Sequence, residues 1–131
     1  MMKKRERPVS ASGVMTERAM TGLFSRAFAQ PLRLLGQTEA SLSSYAVFWC
    51  VAFNEGSTQV EVAKSTGLSA KTVSRVISQL GETPDGRGWI RQSYDSNDRR
   101  VRRLSLSRKG KTVQKQMMQD LQQFNENLQH A

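Results

Sequence analysis

One face of the segment 69–80 carries only cations and hydroxyl groups at helical spacing, namely Lys71, Ser74, Arg75 and Ser78. A helix that enters the major groove of DNA needs such side chains, because phosphates and base edges surround it there. An ordinary solvent-exposed face is the alternative, but such a face usually mixes Glu with Lys. We therefore interpret these four side chains as DNA contacts.

A second basic cluster spans Arg87 to Lys111, where nine Lys or Arg residues accompany only two acids. The loop residues 95–98 separate two runs of strand-like alternation, which predicts a β-hairpin over residues 89–106. A hairpin with this charge is attracted to a phosphate backbone. A solvated basic hairpin is the alternative for most of the arginines taken singly. The candidate contacts are Arg91, Arg99, Arg100, Arg102 and Arg103.

Asp98 indicates more than charge attraction, because phosphate repels an acid at the tip of such a hairpin. Arg100 follows two residues later, and a carboxylate can hold a guanidinium in one direction through charge-assisted hydrogen bonds. An arginine held in advance loses less side-chain entropy when it enters a narrow minor groove. We therefore predict that Asp98 directs Arg100.

The segment 59–80 has the features of a helix-turn-helix, which would present the first of these faces. Gly67 can adopt the positive φ of a tight turn, Ala63 is small enough for a close helix crossing, and Ser69 can cap the second helix. Apolar side chains can fill the angle between the two helices, namely Leu68, Val73, Val76 and Leu80.

A central helix is predicted from Ser41 or Ser43 to Asn54, and it is apolar almost all round. Such a helix is typical of the buried centre of a small domain. Its Cys50 has no neighbouring cation in sequence, so an inert core thiol is favoured over a redox sensor. The aromatic residues predicted to lie in the core are Tyr45, Trp49 and Trp89.

Two terminal helices complete the predicted elements. The first begins near Thr16 and is interrupted by Pro31, and the last begins at Ser107. The last helix carries the apolar stripe Val113, Met117, Leu121, Phe124 and Leu128. Two terminal helices that both need cover favour pairing of two copies across a two-fold axis, with packing inside one chain as the alternative.

The segment Asp98–Gly110 closely resembles the wing signature of the MarR-type regulators. That signature is an Asp-x-Arg tip, a strand ending in Leu-Ser or Leu-Thr, and a Lys-Gly that opens a long last helix. The helix-turn-helix at residues 60–75 resembles the same family, and the similarity covers about residues 16–128. The join at residues 81–88 is longer than in the family pattern.

This resemblance implies an obligate homodimer whose terminal helices intertwine. Its recognition helices would enter successive major grooves, and its wings would touch the flanking minor grooves. It also implies that Asp98 orients Arg100 to probe the minor groove. Three further residues, Ser69, Ala70 and Thr72, would read or brace the major groove beside the four outward side chains.

The predicted fold is mainly α with a small β-hairpin wing (α+β), a winged helix-turn-helix. A disordered basic arm at 1–13 would precede a single domain at 14–131. Dimerisation helices at about 16–35 and 107–129 would flank a DNA-binding lobe at about 57–106.

The composition limits the classes of function. A net charge of +9 over 131 residues indicates a polyanionic partner, either nucleic acid or an anionic membrane. No apolar run approaches the roughly 20 residues of a membrane span. With one cysteine and one histidine, Cys50 and His130, the chain offers no metal site, and no residues with catalytic spacing or a phosphate loop indicate an enzyme or a cofactor.

We expect a cytoplasmic, sequence-specific regulator of transcription that binds double-stranded DNA as a homodimer, most simply a repressor. The alternative is a winged-helix module that binds DNA non-specifically or contacts a protein partner. A small-molecule effector is compatible with either class, but no polar cluster marks a site for one.

Overall fold

Five helices and one two-stranded antiparallel sheet make up the described residues of this computed structural model, namely 13–37 and 41–130, with side chains as far as residue 128. In chain order the elements are α1 (Glu17–Arg33), α2 (Leu42–Phe53), α3 (Gln59–Thr66), α4 (Ala70–Leu80), β1 (Ile90–Tyr94), β2 (Arg102–Leu106) and α5 (Arg108–His130). This order confirms the predicted winged helix-turn-helix, mainly α with a β-hairpin. Of the arm predicted at 1–13, all but Gly13 lies outside the described residues.

These elements group into two compact units. The terminal unit contains α1 and the part of α5 from Lys115 onward, and the central unit contains the elements from α2 to the start of α5 at Gln114. The central unit includes the predicted lobe 57–106 together with α2. The single domain at 14–131 stays a prediction.

The core of the central unit fixes the position of α4. This helix buries Val73, Val76, Ile77 and Leu80. Facing side chains from α2 and the hairpin are buried as well, namely Val47, Phe48, Val51, Trp89, Ile90 and Leu104. The rings of Phe48 and Trp89 meet edge to face with centroids 5.6 Å apart. Since full burial of one such aliphatic side chain contributes about 1.5–3 kcal/mol, this core holds the opposite face of α4 toward solvent.

Helix α2 is buried on one side only. It begins at Ser41, whose hydroxyl accepts a hydrogen bond from the Ser44 amide at 3.1 Å. Its end residues Leu42 and Phe53 are 71% and 87% exposed. The prediction of a wholly buried helix is therefore wrong at both ends, because its neighbours cover one face. Trp89 is buried, as predicted, whereas Tyr45, Trp49 and Cys50 are half-buried.

The loop 81–88 closes on itself through its backbone. The Gly88 amide donates to the Gly81 carbonyl at 2.8 Å, and the Trp89 amide donates to the Leu80 carbonyl at 2.8 Å. β1 therefore begins beside the end of α4. The predicted hairpin is confirmed, with an antiparallel register that runs from Ile90 opposite Leu106 to Tyr94 opposite Arg102.

Ser107 joins the hairpin to α5. Its amide donates to the Trp89 carbonyl at 2.9 Å, and its hydroxyl oxygen accepts from the Gly110 amide at 3.0 Å, which confirms the predicted helix cap. Gly110 is required here, because a Cβ at this position would collide with the Trp89 carbonyl.

Helix α1 continues through Pro31, so the predicted interruption at this residue is wrong. The helix begins after Thr16, whose hydroxyl accepts from the Ala19 amide at 3.1 Å, and it ends at Arg33. Pro31 lies in the last turn, where its missing amide removes a hydrogen bond close to an end that the helix reaches in any case. The Leu34 amide still donates to the Gln30 carbonyl at 2.8 Å.

A polar clamp joins α1 to α5 inside the terminal unit. Arg26 donates to both carboxylate oxygens of Asp120, at 2.7 and 3.0 Å, and Gln30 donates to the Met117 carbonyl at 2.6 Å. Gly22 allows the Phe124 ring to approach α1 closely. The hydrogen bond from Arg26 lowers the pKa of Asp120 below its usual value.

This clamp predicts a pH-dependent loss of stability. Asp120→Asn should lower the thermal unfolding temperature by a few degrees near neutral pH, because the Arg26 guanidinium loses its charged acceptor. A carboxylate whose pKa is lowered by folding stabilises the protein above its unfolded pKa, about 3.9, and that contribution disappears as the pH falls through the folded value. The difference from wild type should therefore shrink below about pH 4.

Thermal unfolding followed by circular dichroism at several pH values checks this. Glu126→Gln is the matched control, since Glu126 is an exposed acid on the same helix. Equal unfolding temperatures for Asp120→Asn and Glu126→Gln at pH 7 would mean that the clamp does not stabilise the fold.

Candidate nucleic-acid interface

The turn between α3 and α4 sets the angle of the predicted recognition helix. Gly67 adopts φ 78° and ψ 6°, and its amide donates to the Ala63 carbonyl at 2.9 Å, which confirms the predicted left-handed turn. The Ser69 hydroxyl then accepts from the Thr72 amide at 3.1 Å and contacts the Thr72 hydroxyl at 2.9 Å. Ser69 and Thr72 thus hold the start of α4 together.

The solvent face of α4 carries the four side chains singled out by their spacing. Lys71, Ser74, Arg75 and Ser78 are all exposed, as is Ala70, and no acid lies on this helix. The Ser78 hydroxyl donates to the Ser74 carbonyl at 3.2 Å, so it is partly occupied by its own helix. Lys71 and Arg75 are the two long donors available to a ligand along this face.

At the hairpin tip, Asp98 holds Arg100 through two parallel hydrogen bonds. Nε of Arg100 donates to Oδ1 at 3.1 Å and its NH2 donates to Oδ2 at 3.2 Å, while the Arg100 amide also donates to Oδ1 at 3.0 Å. The contact lowers the pKa of Asp98. The Arg100 side chain is 91% exposed, so the carboxylate fixes a guanidinium that projects into solvent.

The other predicted contacts of the hairpin differ in their partners. Arg91 pairs with Glu82 in the loop 81–88 at 3.0 Å, and the Arg102 guanidinium lies over the Tyr94 ring, 5.6 Å from its centroid. Arg103 donates to Asp95 and to the Gly56 carbonyl. Arg99 is exposed. Contact of each of these arginines with DNA stays a prediction.

Sequence reasoning missed two acids that hold these arginines. Glu82 lies in the join 81–88 and Asp95 in the loop 95–98, and the sequence predicts no partner for either. The hydrogen bond from Arg91 lowers the pKa of Glu82. The pKa of Asp95 is lowered first by the Asn97 amide, which donates to its carboxylate at 2.7 Å, and then by the hydrogen bond from Arg103. Two isolated acids in a segment rich in arginine are a sign of ion pairing. Which arginine each acid contacts depends on the strand register, which the sequence does not give.

Two other kinds of feature, a metal site and a membrane span, are not found within the described part of the chain. Residues 13–37 and 41–130 contain no group of three or more acids, cysteines or histidines placed to hold a metal ion. In the same residues, no helix combines the length and apolar character that crossing a bilayer requires.

Known structures share the fold of this chain over most of their length. A transcriptional regulator from Thermotoga maritima, Tm0710, superposes with a TM-score of 0.67 at 19% identity, covering 86% of this chain and 76% of that one. Streptococcus pneumoniae FabT in complex with DNA gives 0.61 at 19% identity, covering 85% and 77%. MarR gives 0.56 at 22% identity, covering 83% and 79%.

This chain has the MarR-type winged helix fold. No family model and no curated protein match the sequence. At this level of identity the likeness establishes the fold, so function must be argued from the residues. By position in this fold, α4 corresponds to the predicted recognition helix, and the hairpin with its flanking Trp89, residues 89–106, corresponds to the predicted wing.

The Asp98–Arg100 pair at the wing tip gives a test based on the sign of a charge change. Asp98→Asn should weaken binding to a preferred DNA site, on the order of tenfold, although it removes a negative charge. The reason is that the freed guanidinium regains rotamer entropy that binding must remove again. Affinities for one labelled duplex at one fixed salt concentration check this.

Asp85→Asn is the charge-matched control, since Asp85 is an exposed acid in the loop 81–88. It should leave the affinity unchanged or raise it slightly. Arg100→Ala should weaken binding as much as the double variant Asp98→Asn with Arg100→Ala, because the acid acts through its partner. Tighter binding by Asp98→Asn would mean that Asp98 does not orient Arg100 and that the wing acts only through its positive charge.

Proposed function

We propose that this chain is a sequence-specific regulator of transcription that binds double-stranded DNA as a homodimer and acts as a repressor. One observation carries the proposal: a recognition helix whose exposed residues include Lys71, Arg75 and two serines but no acid precedes a wing whose tip arginine is held by Asp98. The recognition helix fits the base edges of a major groove, and the wing fits the walls of a minor groove.

The charge of the chain supports a DNA partner. Its net charge of +9 favours any polyanion. The recognition helix and the wing add a directional element, because acids in the wing are paired with arginines. A surface evolved only for charge would be stronger without these acids, so their presence favours a defined DNA geometry over simple coating.

A second copy is proposed to cover the exposed apolar stripe of α1. Met20, Phe24, Phe28 and Leu32 are spaced by four residues and are 43–65% exposed, and the Phe24 and Phe28 rings lie 6.5 Å apart. The sequence favours pairing of two copies through the α5 stripe as well. Within the terminal unit, however, Phe124 and Leu128 of that stripe pack beside Gly22 of α1. We therefore assign the interface to α1, and a two-fold axis would present two recognition helices to one duplex.

No catalytic role is proposed, and a repressor of this kind would act in the cytoplasm where it meets DNA. Selection of duplexes from a random pool by the full chain tests the function. Enrichment of a palindromic site supports the proposal. Recovery of a random pool would instead favour a module that coats DNA non-specifically.

Arg75 provides a test of base reading. Arg75→Ala should reduce discrimination between the selected site and random DNA by about 1–3 kcal/mol, because a guanidinium on this face can form two hydrogen bonds with a guanine edge. Lys64→Ala, on the exposed face of α3, is the control and should weaken both duplexes equally. Competition binding at fixed salt measures both ratios. Equal losses on both duplexes for Arg75→Ala would reassign Arg75 to phosphate.

The α1 stripe provides a test of the dimer. Phe24→Glu and Phe28→Glu should each convert a dimer into a monomer at micromolar concentration, because burial of a carboxylate in an apolar interface is unfavourable. Phe53→Glu is the control, since Phe53 is equally apolar and 87% exposed but lies at the end of α2. Sedimentation or light scattering gives the mass. A monomeric wild type, or dimers in all three variants, would contradict the proposed interface.

A further inference from the structure

Arg103 lies in β2 beside the exposed Arg102, but its half-buried guanidinium is hydrogen-bonded to groups of the protein itself. Its Nε donates to Asp95 Oδ2 at 2.9 Å, its NH2 lies 2.8 Å from the same oxygen in an ion pair, and its NH1 donates to the Gly56 carbonyl at 3.0 Å. NH1 also lies 3.9 Å from a carboxylate oxygen of Glu61 in α3. One side chain therefore contacts the end of β1, the turn before α3, and α3 itself.

The contacts of Arg103 extend an attachment that the backbone begins. The Leu104 amide donates to the Ser57 carbonyl at 2.8 Å, and the Gly56 amide donates to the Leu104 carbonyl at 2.7 Å. These bonds hold β2 at its middle residue. Arg103 adds a link from the same turn to Asp95, which directly follows β1.

Asp95 in turn organises the tip of the wing. Its carboxylate accepts from the Asn97 amide at 2.7 Å, and its own amide donates to the Val101 carbonyl at 2.9 Å. The Val101 amide donates to the Asp98 carbonyl at 3.0 Å, within the loop that carries Arg100. A continuous series of hydrogen bonds thus runs from the turn before α3 through Arg103 and Asp95 to the residues that hold Arg100.

We propose that Arg103 is a positioning residue rather than a DNA contact, and that it fixes the wing tip relative to α3 and α4. This inference rests on the proposed function. Arg103 thereby determines which flanking base steps Arg100 reaches when α4 occupies the major groove. The planar fork of arginine can bridge a carboxylate and a carbonyl at once, whereas a lysine ammonium on a flexible stem cannot reproduce both directions.

Hydrogen exchange in the free protein tests the brace without DNA. Arg103→Ala and Arg103→Lys should both speed exchange of the Asn97 and Val101 amides, because Asp95 loses its fixed partner. Arg102→Ala is the matched control, with the same charge loss from the same strand, and should leave these amides unchanged. Unfolding temperatures are measured alongside to confirm that each variant is folded. Unchanged exchange in Arg103→Lys and Arg103→Ala would overturn the inference.

Binding to the selected duplex tests what the brace does. Arg103→Ala and Arg103→Lys should both weaken binding, on the order of tenfold, and reduce the preference for A·T-rich flanks. In the Arg100→Ala background, Arg103→Ala should cost little more, because it acts through Arg100. Arg102→Ala should cost the same in both backgrounds. Asp95→Asn should weaken binding although it removes a negative charge.

The opposite pattern identifies a phosphate contact. Three results together would show that the inference is wrong. Arg103→Lys would bind like wild type, and Arg103→Ala would add its full cost to that of Arg100→Ala. Arg103→Ala would also reduce the salt dependence of binding by the amount expected for one lost phosphate contact. If the wild type selects no sequence at all, the proposed function fails. The exchange experiment then still decides whether Arg103 fixes the wing tip.

Discussion

Two backbone hydrogen bonds fix the position of β2 relative to the turn before α3. The arrangement of the central unit depends on them. They join Leu104 to Gly56 and Ser57, and Leu104 itself is completely buried. A recognition helix and a wing can read adjacent parts of one duplex only if their relative position is fixed before binding. Because the wing follows α4 in the chain and is hydrogen-bonded to the turn before α3, the two elements proposed to read DNA share one core.

Acids are the second organising device of this basic surface. Asp98, Asp95 and Glu82 each accept from one arginine, and in each case the pairing lowers the pKa of the carboxylate. Exposed pairs of this kind contribute little to folding stability. If the surface binds DNA as proposed, their contribution is to direction, since a guanidinium held before binding has less entropy to lose. The acids would weaken the attraction to phosphate but define the geometry of the arginines.

Local chemistry was sufficient to predict the elements, whereas long-range contacts were not predictable. Ser69, Gly67 and Ser107 act through bonds to residues three or four positions away, so their caps and turn were readable from sequence. The contact of Arg103 with Gly56 spans 47 positions and depends on the register of the hairpin. The helix break expected at Pro31 was wrong for a different, local reason, since a proline in the last turn removes a hydrogen bond close to an end that the helix reaches in any case.

The loop 81–88 between α4 and the wing is closed by backbone hydrogen bonds. Its ends are held by the bonds from Gly88 to Gly81 and from Trp89 to Leu80, so the intervening residues form a closed loop and do not lengthen the path. Trp89 then enters the core against Phe48, and its carbonyl accepts from Ser107 at the other end of the hairpin. Both strands of the wing are therefore anchored at one residue. This anchor and the Leu104 bonds hold the base of the wing close to α4 and the turn before α3, and the proposed brace by Arg103 would add to them.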